Sequence, residues 1–283
     1  MATQIVMLGT GTPYPDPDRS GPATAIVVDD TPYLIDFGPG VIRRVAAAYR
    51  NGVTAFGRSA VNIKTAFLTH LHSDHTMGYP DLIFTPWTMG RAAPLTVYGP
   101  PGLKAMTEHI LKAWQVDIDA RAQRLANPDA HRAIAHEFTP GVIHRDRNVT
   151  VTAFPVQHRE MKDSFGFRFE TPGRTIIISG DTTPTQALID NARGCDVLIH
   201  EAYSLATYGK LTPAWQAFRR AHHTSSKEMA AIAAQVKPGL LILYHRSNAG
   251  GGETGSDDEA ELIGEIRQSY NGKVITGRDL DVF

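Results

Sequence analysis

The residue types best suited to chemistry are concentrated in one short segment. It reads His70-Leu-His72-Ser-Asp74-His75, so three imidazoles and one carboxylate occur within six residues. Imidazole nitrogen and carboxylate oxygen are the ligands that suit zinc and neighbouring divalent metals. In an extended chain, residues two apart point to the same side, so His70 and His72 can bind one ion together. Asp74 and His75 follow and can bind a second ion.

Three further candidate ligands each follow a short apolar run later in the chain. They are His158, Asp181 and His245. The set then divides into His70, His72 and His158 on one ion and Asp74, His75 and His245 on the other, with Asp181 bridging the two. Each ion keeps few protein ligands, so a shared water has room to bind. The pattern predicts a dinuclear metal site.

The elements that must position these residues are short strands alternating with helices. Apolar runs bounded by turn residues predict strands over Ile5–Leu8, Thr24–Val28, Tyr33–Asp36, Ala66–Leu68, Leu95–Tyr98, Val149–Val156, Phe165–Phe169, Thr175–Ile178, Val197–Ile199 and Leu240–Leu243. Helices are predicted over Val41–Asn51, Gly102–Trp114, Thr185–Arg193, Ser225–Lys237 and Asp257–Tyr270. This alternation predicts an α/β protein with mixed sheets covered by helices. Residues 115–147 show weak periodicity, and we predict an irregular or helical insertion that covers the active site.

The composition excludes several classes of protein. Lys and Arg number 28 and Asp and Glu 29, so the net charge is −1, which disfavours a general nucleic-acid or anionic-membrane binder. Cys195 is the only cysteine, so no intrachain disulfide can form. No apolar run approaches the length of a membrane span, and Met1–Thr10 does not resemble a secretory leader. We therefore expect a cytoplasmic protein that does not contact membranes.

The ligand pattern resembles that of the metallo-β-lactamase superfamily. The His-x-His-x-Asp-His motif is followed by the remaining His, Asp and His residues in the family's order. More narrowly, the chain resembles the ribonuclease Z branch, which includes phosphodiesterases and arylsulfatase-like members. Further matching motifs are Leu8-Gly-Thr-Gly11, the segment Tyr33–Gly40, His200-Glu201-Ala202 and His223-Thr-Ser225. Tyr203 departs from this pattern, because Thr is common at that position.

The resemblance implies a four-layer αβ/βα sandwich with two mixed β-sheets, formed by residues 1–283 as a single domain. It implies a hydrolase with two Zn²⁺ ions per chain, Mn²⁺ or iron being the other metals that suit the site. A metal-bridging hydroxide would attack the substrate, and Asp74 would help to accept its proton. Glu201 would orient His223 as the general acid for the leaving group. Because the branch is often dimeric, a homodimer is expected.

The substrate is predicted to be a small phosphodiester or a related aryl ester, because the branch is rich in such enzymes. In the common form of the tRNA-processing members, a flexible arm that grips tRNA follows the third-motif His, here His158. The interval from His158 to Asp181 holds a single predicted hairpin, which leaves no room for this arm. Binding of tRNA also depends heavily on phosphate contacts, which the net charge disfavours. We therefore do not expect tRNA as a partner.

Other activities use the same metal ligands. A carboxylic ester, lactone or β-lactam hydrolase would direct the same nucleophile at an acyl carbon. A ribonuclease Z-type RNA 3′-end endonuclease would act without the usual arm. A di-iron redox protein on this fold is the alternative from another class of function.

Overall fold

The computed structural model describes residues 2–245 and 259–283, which form two compact units. The first unit comprises Met1–Thr139 and Arg278–Phe283, and the second comprises Pro140–Gly277. Each contains a β-sheet with both parallel and antiparallel neighbours, together with helices, which confirms the predicted α/β class. The assignment of 1–283 to a single domain stays a prediction. Within the described residues, no helix combines the length and apolar character needed to cross a membrane.

The sheet of the first unit follows the order of the sequence, from β1 to β6. Its strands are β1 (Thr3–Gly9), β2 (Ala23–Val28), β3 (Thr31–Ile35), β4 (Thr65–Phe67), β5 (Leu95–Gly99) and β6 (Ala133–Glu137). Strands β1 to β3 pair antiparallel, and β3 to β6 pair parallel. The last residues of the chain also join this unit, since Ile5 and Phe283 exchange two backbone hydrogen bonds of 2.9 Å.

The C-terminal segment also fixes the glycine-containing loop after β1. The Asp279 carboxylate accepts hydrogen bonds from the backbone and hydroxyl of Thr10 at 2.9 and 2.8 Å and from Ser20 N at 2.8 Å. Arg44 Nε lies 3.1 Å from the same carboxylate. Burial raises the pKa of the Asp279 carboxyl above its ordinary value, against the lowering effect of these contacts. The carboxylate therefore ties the end of the chain to its beginning.

Helices of the first unit pack apolar faces into its core. They are α1 (Val41–Arg50), α2 (Ser73–Thr76), α3 (Tyr79–Thr88), α4 (Leu103–Ala113) and α5 (Gln115–Ala122). In α1 the buried residues Val41, Ile42, Val45 and Ala48 repeat at helical spacing. They join a core cluster that includes apolar residues of β1 to β5.

The sheet of the second unit runs in the order β13-β12-β11-β10-β9-β8-β7. Its strands are β7 (Gly141–Arg145), β8 (Thr150–Pro155), β9 (Phe165–Glu170), β10 (Thr175–Ile178), β11 (Val197–Glu201), β12 (Leu240–Tyr244) and β13 (Val274–Thr276). Strands β10 to β13 pair parallel, and β7 to β10 pair antiparallel. The helices are α6 (Gln186–Ala192), α7 (Leu205–Gly209), α8 (Pro213–His222), α9 (Ser226–Val236) and α10 (Glu259–Arg267). Buried residues of α6, α9 and α10 share one core cluster.

Two predicted segments differ from the structure. The interval 115–147, predicted to be irregular or helical, begins with α5 but also contains β6 and β7, which are the outermost strands of their sheets. Their residues are half-buried or exposed, so they lack the apolar runs on which the strand predictions depended. The role of 115–147 in covering an active site stays a prediction. The predicted helix Asp257–Tyr270 begins as α10 at Glu259, and Asp257 and Asp258 lie outside the described residues.

Candidate functional site

The four residues of the His-x-His-x-Asp-His motif cluster directly after β4 in the first unit. His70 is fully buried, and its Nε2 lies 3.0 Å from Nδ1 of His72. His72 is the N-cap of α2, and this short helix carries Asp74 and His75. Asp74 Oδ2 lies 3.7 Å from His75 Nε2, and the ring centroids of His70 and His75 are 4.1 Å apart. The structure therefore brings these four side chains together, as the spacing predicts.

Asp36, at the end of β3, supports this cluster and was not among the predicted site residues. Its carboxylate accepts hydrogen bonds from His75 Nδ1 at 2.9 Å, Thr69 N at 2.8 Å and Thr69 Oγ1 at 3.0 Å. Because a carboxylate oxygen accepts, Nδ1 of His75 carries the proton and its Nε2 carries the lone pair that a metal needs. An acidic residue directly after an otherwise apolar strand is the sequence signal that could have identified Asp36.

The backbone around Asp36 is shaped to approach the motif closely. Asp36 itself has a φ of +56°, a left-handed conformation that few residues other than glycine adopt. Phe37 N then donates to His75 O at 3.0 Å. A Cβ atom on Gly38 would lie 2.4 Å from Asp74 O, so only glycine allows this contact. The segment 36–38, which follows β3, therefore supports helix α2.

In the second unit, three parallel strands deliver polar side chains to one edge of the sheet. Strands β10, β11 and β12 are parallel neighbours, so their carboxyl ends meet. Asp181 follows β10, Glu201 ends β11 and His245 follows β12. Strand β8 runs in the same direction and is followed by His158. The topology thus explains why residues distant in the sequence converge.

Asp181 lies between two imidazoles in this group. Its Oδ2 is 3.4 Å from His245 Nε2 and 3.9 Å from His158 Nε2. All three residues are only 3% exposed. A buried carboxylate among imidazole nitrogens favours a cation, since each nitrogen can offer a lone pair. His245 also has a left-handed backbone, with a φ of +45°, as Asp36 does in the first unit.

The orientation of His158 is fixed by a backbone contact. Its Nδ1 donates to the carbonyl of His222 at 2.9 Å, so the lone pair lies on Nε2, the nitrogen that approaches Asp181. Burial lowers the pKa of His158, while the nearby Asp181 opposes this shift in part. A neutral imidazole is the form that binds a metal. The supporting role of His222 was not predicted, and no sequence pattern marks a backbone carbonyl for this use.

The predicted pair of Glu201 and His223 is present as a hydrogen bond. Glu201 Oε1 lies 3.0 Å from His223 Nδ1 and also accepts from Thr182 N at 3.0 Å. His223 has ligand atoms within 4.8 Å of those of His158 and Asp181. The arrangement therefore permits two uses of His223, as a proton donor oriented by Glu201 or as a third ligand beside these two residues.

The chain is similar to known proteins in a family model, in overall sequence and in three-dimensional structure. A family model described as a β-lactamase superfamily domain matches residues 31–246. Ribonuclease Z of Mycobacterium bovis is 34% identical over 281 residues, which cover 98% of this chain and 96% of that protein. A metallo-β-lactamase fold protein of Bacillus subtilis superposes over all of both chains with a TM-score of 0.72 at 18% identity. The short form of human tRNase Z gives a TM-score of 0.69 at 24% identity, over 99% of this chain and 98% of that one.

These findings confirm the predicted fold family and overturn one expectation. The expectation that tRNA is not a partner is wrong, because the relatives that match nearly the whole chain are ribonuclease Z and one structural neighbour is a tRNase Z. The short interval 158–181 excludes an arm at one position only, and net charge is a sum over the whole chain. The structure places α7 and α8 within residues 205–223, a segment with three basic residues and no acidic residue. The segment 205–223 is therefore positively charged, although the net charge of the whole chain is −1.

Proposed function

The chain belongs to the metallo-β-lactamase superfamily and is ribonuclease Z-like, and from this premise we propose that it is a metal-dependent endonuclease acting on the 3′ ends of RNA, with precursor tRNA as the substrate class. One observation carries the proposal: the match to ribonuclease Z, at 34% identity, covers 98% of this chain and 96% of that protein. A small phosphodiester, the substrate predicted from the sequence, becomes the second candidate. It contains the phosphodiester bond that is cleaved in RNA but lacks the rest of the RNA.

We propose that the predicted ligands hold two divalent ions, with zinc as the first choice. The residues are His70, His72, Asp74, His75, His158, Asp181 and His245. Imidazoles and carboxylates are the donor types that zinc prefers, and Mn²⁺ and iron accept the same donors. Support comes from the hydrogen bonds that leave a lone pair on Nε2 of both His75 and His158. When bound, such ions supply Lewis-acid activation of water and of the phosphate oxygen.

The residues of the chain then have separate tasks. Asp36 holds the His75 ring in place, and the His222 carbonyl does the same for His158. Asp74 helps to accept the proton of the attacking water. Glu201 orients His223 through Nδ1, so that Nε2 of His223 can donate a proton to the leaving oxygen. A Glu–His pair suits this role, because the carboxylate fixes the orientation of the ring.

The proposal is tested with purified protein loaded with zinc. Cleavage of a precursor tRNA with a 3′ extension is compared with hydrolysis of a bis-aryl phosphodiester, an aryl ester, a lactone and a β-lactam. We expect site-selective RNA cleavage with the highest kcat/KM of the panel, and metal analysis close to two ions per chain. A higher kcat/KM on the ester, lactone or β-lactam would contradict the proposed substrate class. Metal-dependent electron transfer without hydrolysis would favour the di-iron alternative.

The homodimer and the cytoplasmic location also stay predictions. Sedimentation analysis of the zinc-loaded protein decides the first, because a dimer has twice the mass of the 30.9 kDa chain.

A further inference from the structure

Helix α8 presents aromatic rings to solvent just before His223. Trp215 is 55% exposed and Phe218 is 41% exposed, and their ring centroids lie 5.5 Å apart in an edge-to-face arrangement. Residues 215, 218 and 222 are spaced by three and four positions, so they share one face of the helix. We call Trp215, Phe218 and His222 the aromatic platform. Large exposed rings grouped on one helix face are typical of a binding surface.

The platform continues directly into the candidate site of the second unit. The Phe218 ring stacks on His222 with centroids 4.0 Å apart and an angle of 23° between the planes. His222 then accepts the hydrogen bond from His158 through its carbonyl, and the next residue is His223. A group stacked on Phe218 is therefore separated only by the His222 ring from the region of His158 and His223, which are proposed to act on the phosphate.

The charge around the platform is positive. The segment 205–223 contains Lys210, Arg219 and Arg220 and no Asp or Glu. Arg220 is exposed, and its guanidinium carbon lies 6.0 Å from the centroid of the Tyr208 ring. Among the described residues, Glu160 contacts the platform itself, at 2.7 Å from His222, and it also lies 2.8 Å from Arg159, whereas Glu261 and Glu265 contact the distant start of the segment at residues 205–207. The charge of Glu160 is therefore balanced by a neighbouring cation, and the surface as a whole suits an anionic ligand.

The segment that carries the platform is anchored near both of its ends by one side chain. Glu265 of α10 accepts hydrogen bonds from Leu205 N and Ala206 N at 2.8 Å each. The same carboxylate accepts from the hydroxyl of Ser204, and from that of Ser226 just after His223. The platform is thereby fixed before any ligand binds, which reduces the entropy cost of binding.

We propose that the aromatic platform binds an unpaired segment of the RNA beside the scissile phosphate, by stacking bases on Trp215 and Phe218 while the exposed Arg220 contacts phosphate. Exposed aromatic rings combined with a positively charged surface are a common means of holding single-stranded RNA, since every base has a face that can stack. A paired stem would leave the rings uncovered. The inference rests on the proposed function, because it assigns a binding surface to that same substrate.

The test uses a Trp215→Ala/Phe218→Ala double variant of the full chain loaded with zinc. Trp114→Ala is the matched control, because Trp114 is 40% exposed and lies in the first unit. Three quantities are measured: kcat/KM on an RNA with a 3′ extension, kcat/KM on bis(p-nitrophenyl) phosphate, and the Kd of a fluorescein-labelled phosphorothioate oligouridylate by anisotropy. The last quantity is independent of cleavage.

We expect the double variant to bind the oligonucleotide about 10- to 100-fold more weakly, since each stacked base depends on a ring. The loss of kcat/KM should be at least about tenfold larger on RNA than on the small diester, whereas Trp114→Ala should match wild type. The single variant Trp215→Phe keeps an aromatic ring at this position, so it should bind the oligonucleotide almost as tightly as wild type. Arg220→Gln should lower the slope of log Kd against log salt concentration by about 0.7, the value for one phosphate contact on a single strand.

The outcomes separate this inference from the proposed function. If wild type cleaves RNA and the double variant binds and cleaves it equally well, the platform is overturned and a protein partner becomes the better explanation of the exposed rings. If wild type binds the oligonucleotide but does not cleave RNA, and the double variant loses that binding, the proposed function fails and the platform stands. The platform is overturned if wild type does not bind the oligonucleotide. It is also overturned if kcat/KM of the double variant falls by the same factor on RNA and on the small diester.

Discussion

At the scale of single residues, the side chains behind the proposed ligands are as informative as the ligands themselves. Asp36 and the carbonyl of His222 each fix one imidazole through its Nδ1, so that Nε2 is presented in both cases. Such supporting contacts set ring orientation and raise the basicity of the ligand. Their substitution therefore tests metal binding without removing a ligand.

Asp36→Asn should weaken zinc binding by about 10- to 100-fold, because the His75 ring loses the carboxylate that orients it. The measurement is competition for zinc against a chromogenic chelator, with urea unfolding of the metal-free variant to show that it folds. Asp30→Asn is the control, since Asp30 is exposed. Equal zinc affinity of Asp36→Asn and Asp30→Asn would show that Asp36 has only a structural role.

His223→Ala should keep its metals but lose activity in proportion to the basicity of the leaving group. A good leaving group departs without a proton, whereas a poor one needs general-acid help typically worth about 10²- to 10⁴-fold. The comparison is kcat/KM of wild type and variant on aryl phosphodiesters across phenols of rising pKa. Asp181→Ala is the contrast, and it should lose metal and all activity.

Two results would contradict the proton-donor role of His223. An equal loss across all phenols would indicate substrate binding or support of the loop. A fall in metal content would indicate that His223 binds metal with His158 and Asp181, which their proximity permits.

At the scale of elements, burial decides what the sequence can predict. Strands β2 and β11 are buried along their whole length, and each contains an apolar run, Ala25–Val28 and Val197–Ile199, that marks it in the sequence. Strands β6 and β7 are partly exposed and carry His, Glu and Arg, so no run marks them. Helix α8 has apolar residues at helical spacing, but the largest of them, Trp215 and Phe218, lie on the outside, so this pattern does not mark a face packed into a core.

The candidate site was more predictable than these elements. Ligand types at fixed spacing need no knowledge of packing, so the motif at 70–75 could be found directly. Asp36 could not be assigned in this way, because its role depends on the parallel pairing of β3 with β4. The same holds for His222, whose contribution is a backbone atom.

Helix α9 begins with a capping box whose N-cap residue, Ser225, lies two positions after His223. Ser225 Oγ accepts from Glu228 N, and Glu228 accepts from Ser225 N at 2.9 Å. Ser225→Ala should lower the free energy of unfolding by about 1 kcal/mol, because backbone N–H groups at the helix start lose their acceptor. Urea denaturation measures this value. Ser269→Ala, at an exposed position, should have no effect, and an equal change in both variants would contradict the capping role.

At the scale of the whole molecule, Asp279 makes stability depend on pH. Because burial raises its pKa, the folded state holds a proton at this carboxyl more tightly than the unfolded state does. The contribution of Asp279 to the free energy of unfolding therefore falls as pH rises from about 4, the ordinary value for Asp, through the raised folded pKa. Below the ordinary pKa both states are protonated, and the contribution no longer changes.

Asp279→Asn removes this titration. We expect the free energy of unfolding of wild type, relative to the variant, to decrease with rising pH across that window. Urea denaturation at a series of pH values measures the difference, and Asp30→Asn supplies the control for an exposed carboxyl. A difference that rises with pH would mean that hydrogen bonds and Arg44 outweigh burial at this site.

The pairing of the last residues with β1 has a consequence for synthesis of the protein. The first unit is interrupted in the sequence by the whole of the second, and it receives its final backbone hydrogen bonds from residues 280–283. A nascent chain that still lacks these residues would present β1 as an open edge, which is the part of a sheet most prone to join another chain. Completion of the first unit must therefore wait until the whole of the second unit and residues 280–283 have been synthesised, although the metal-binding motif of the first unit is translated early.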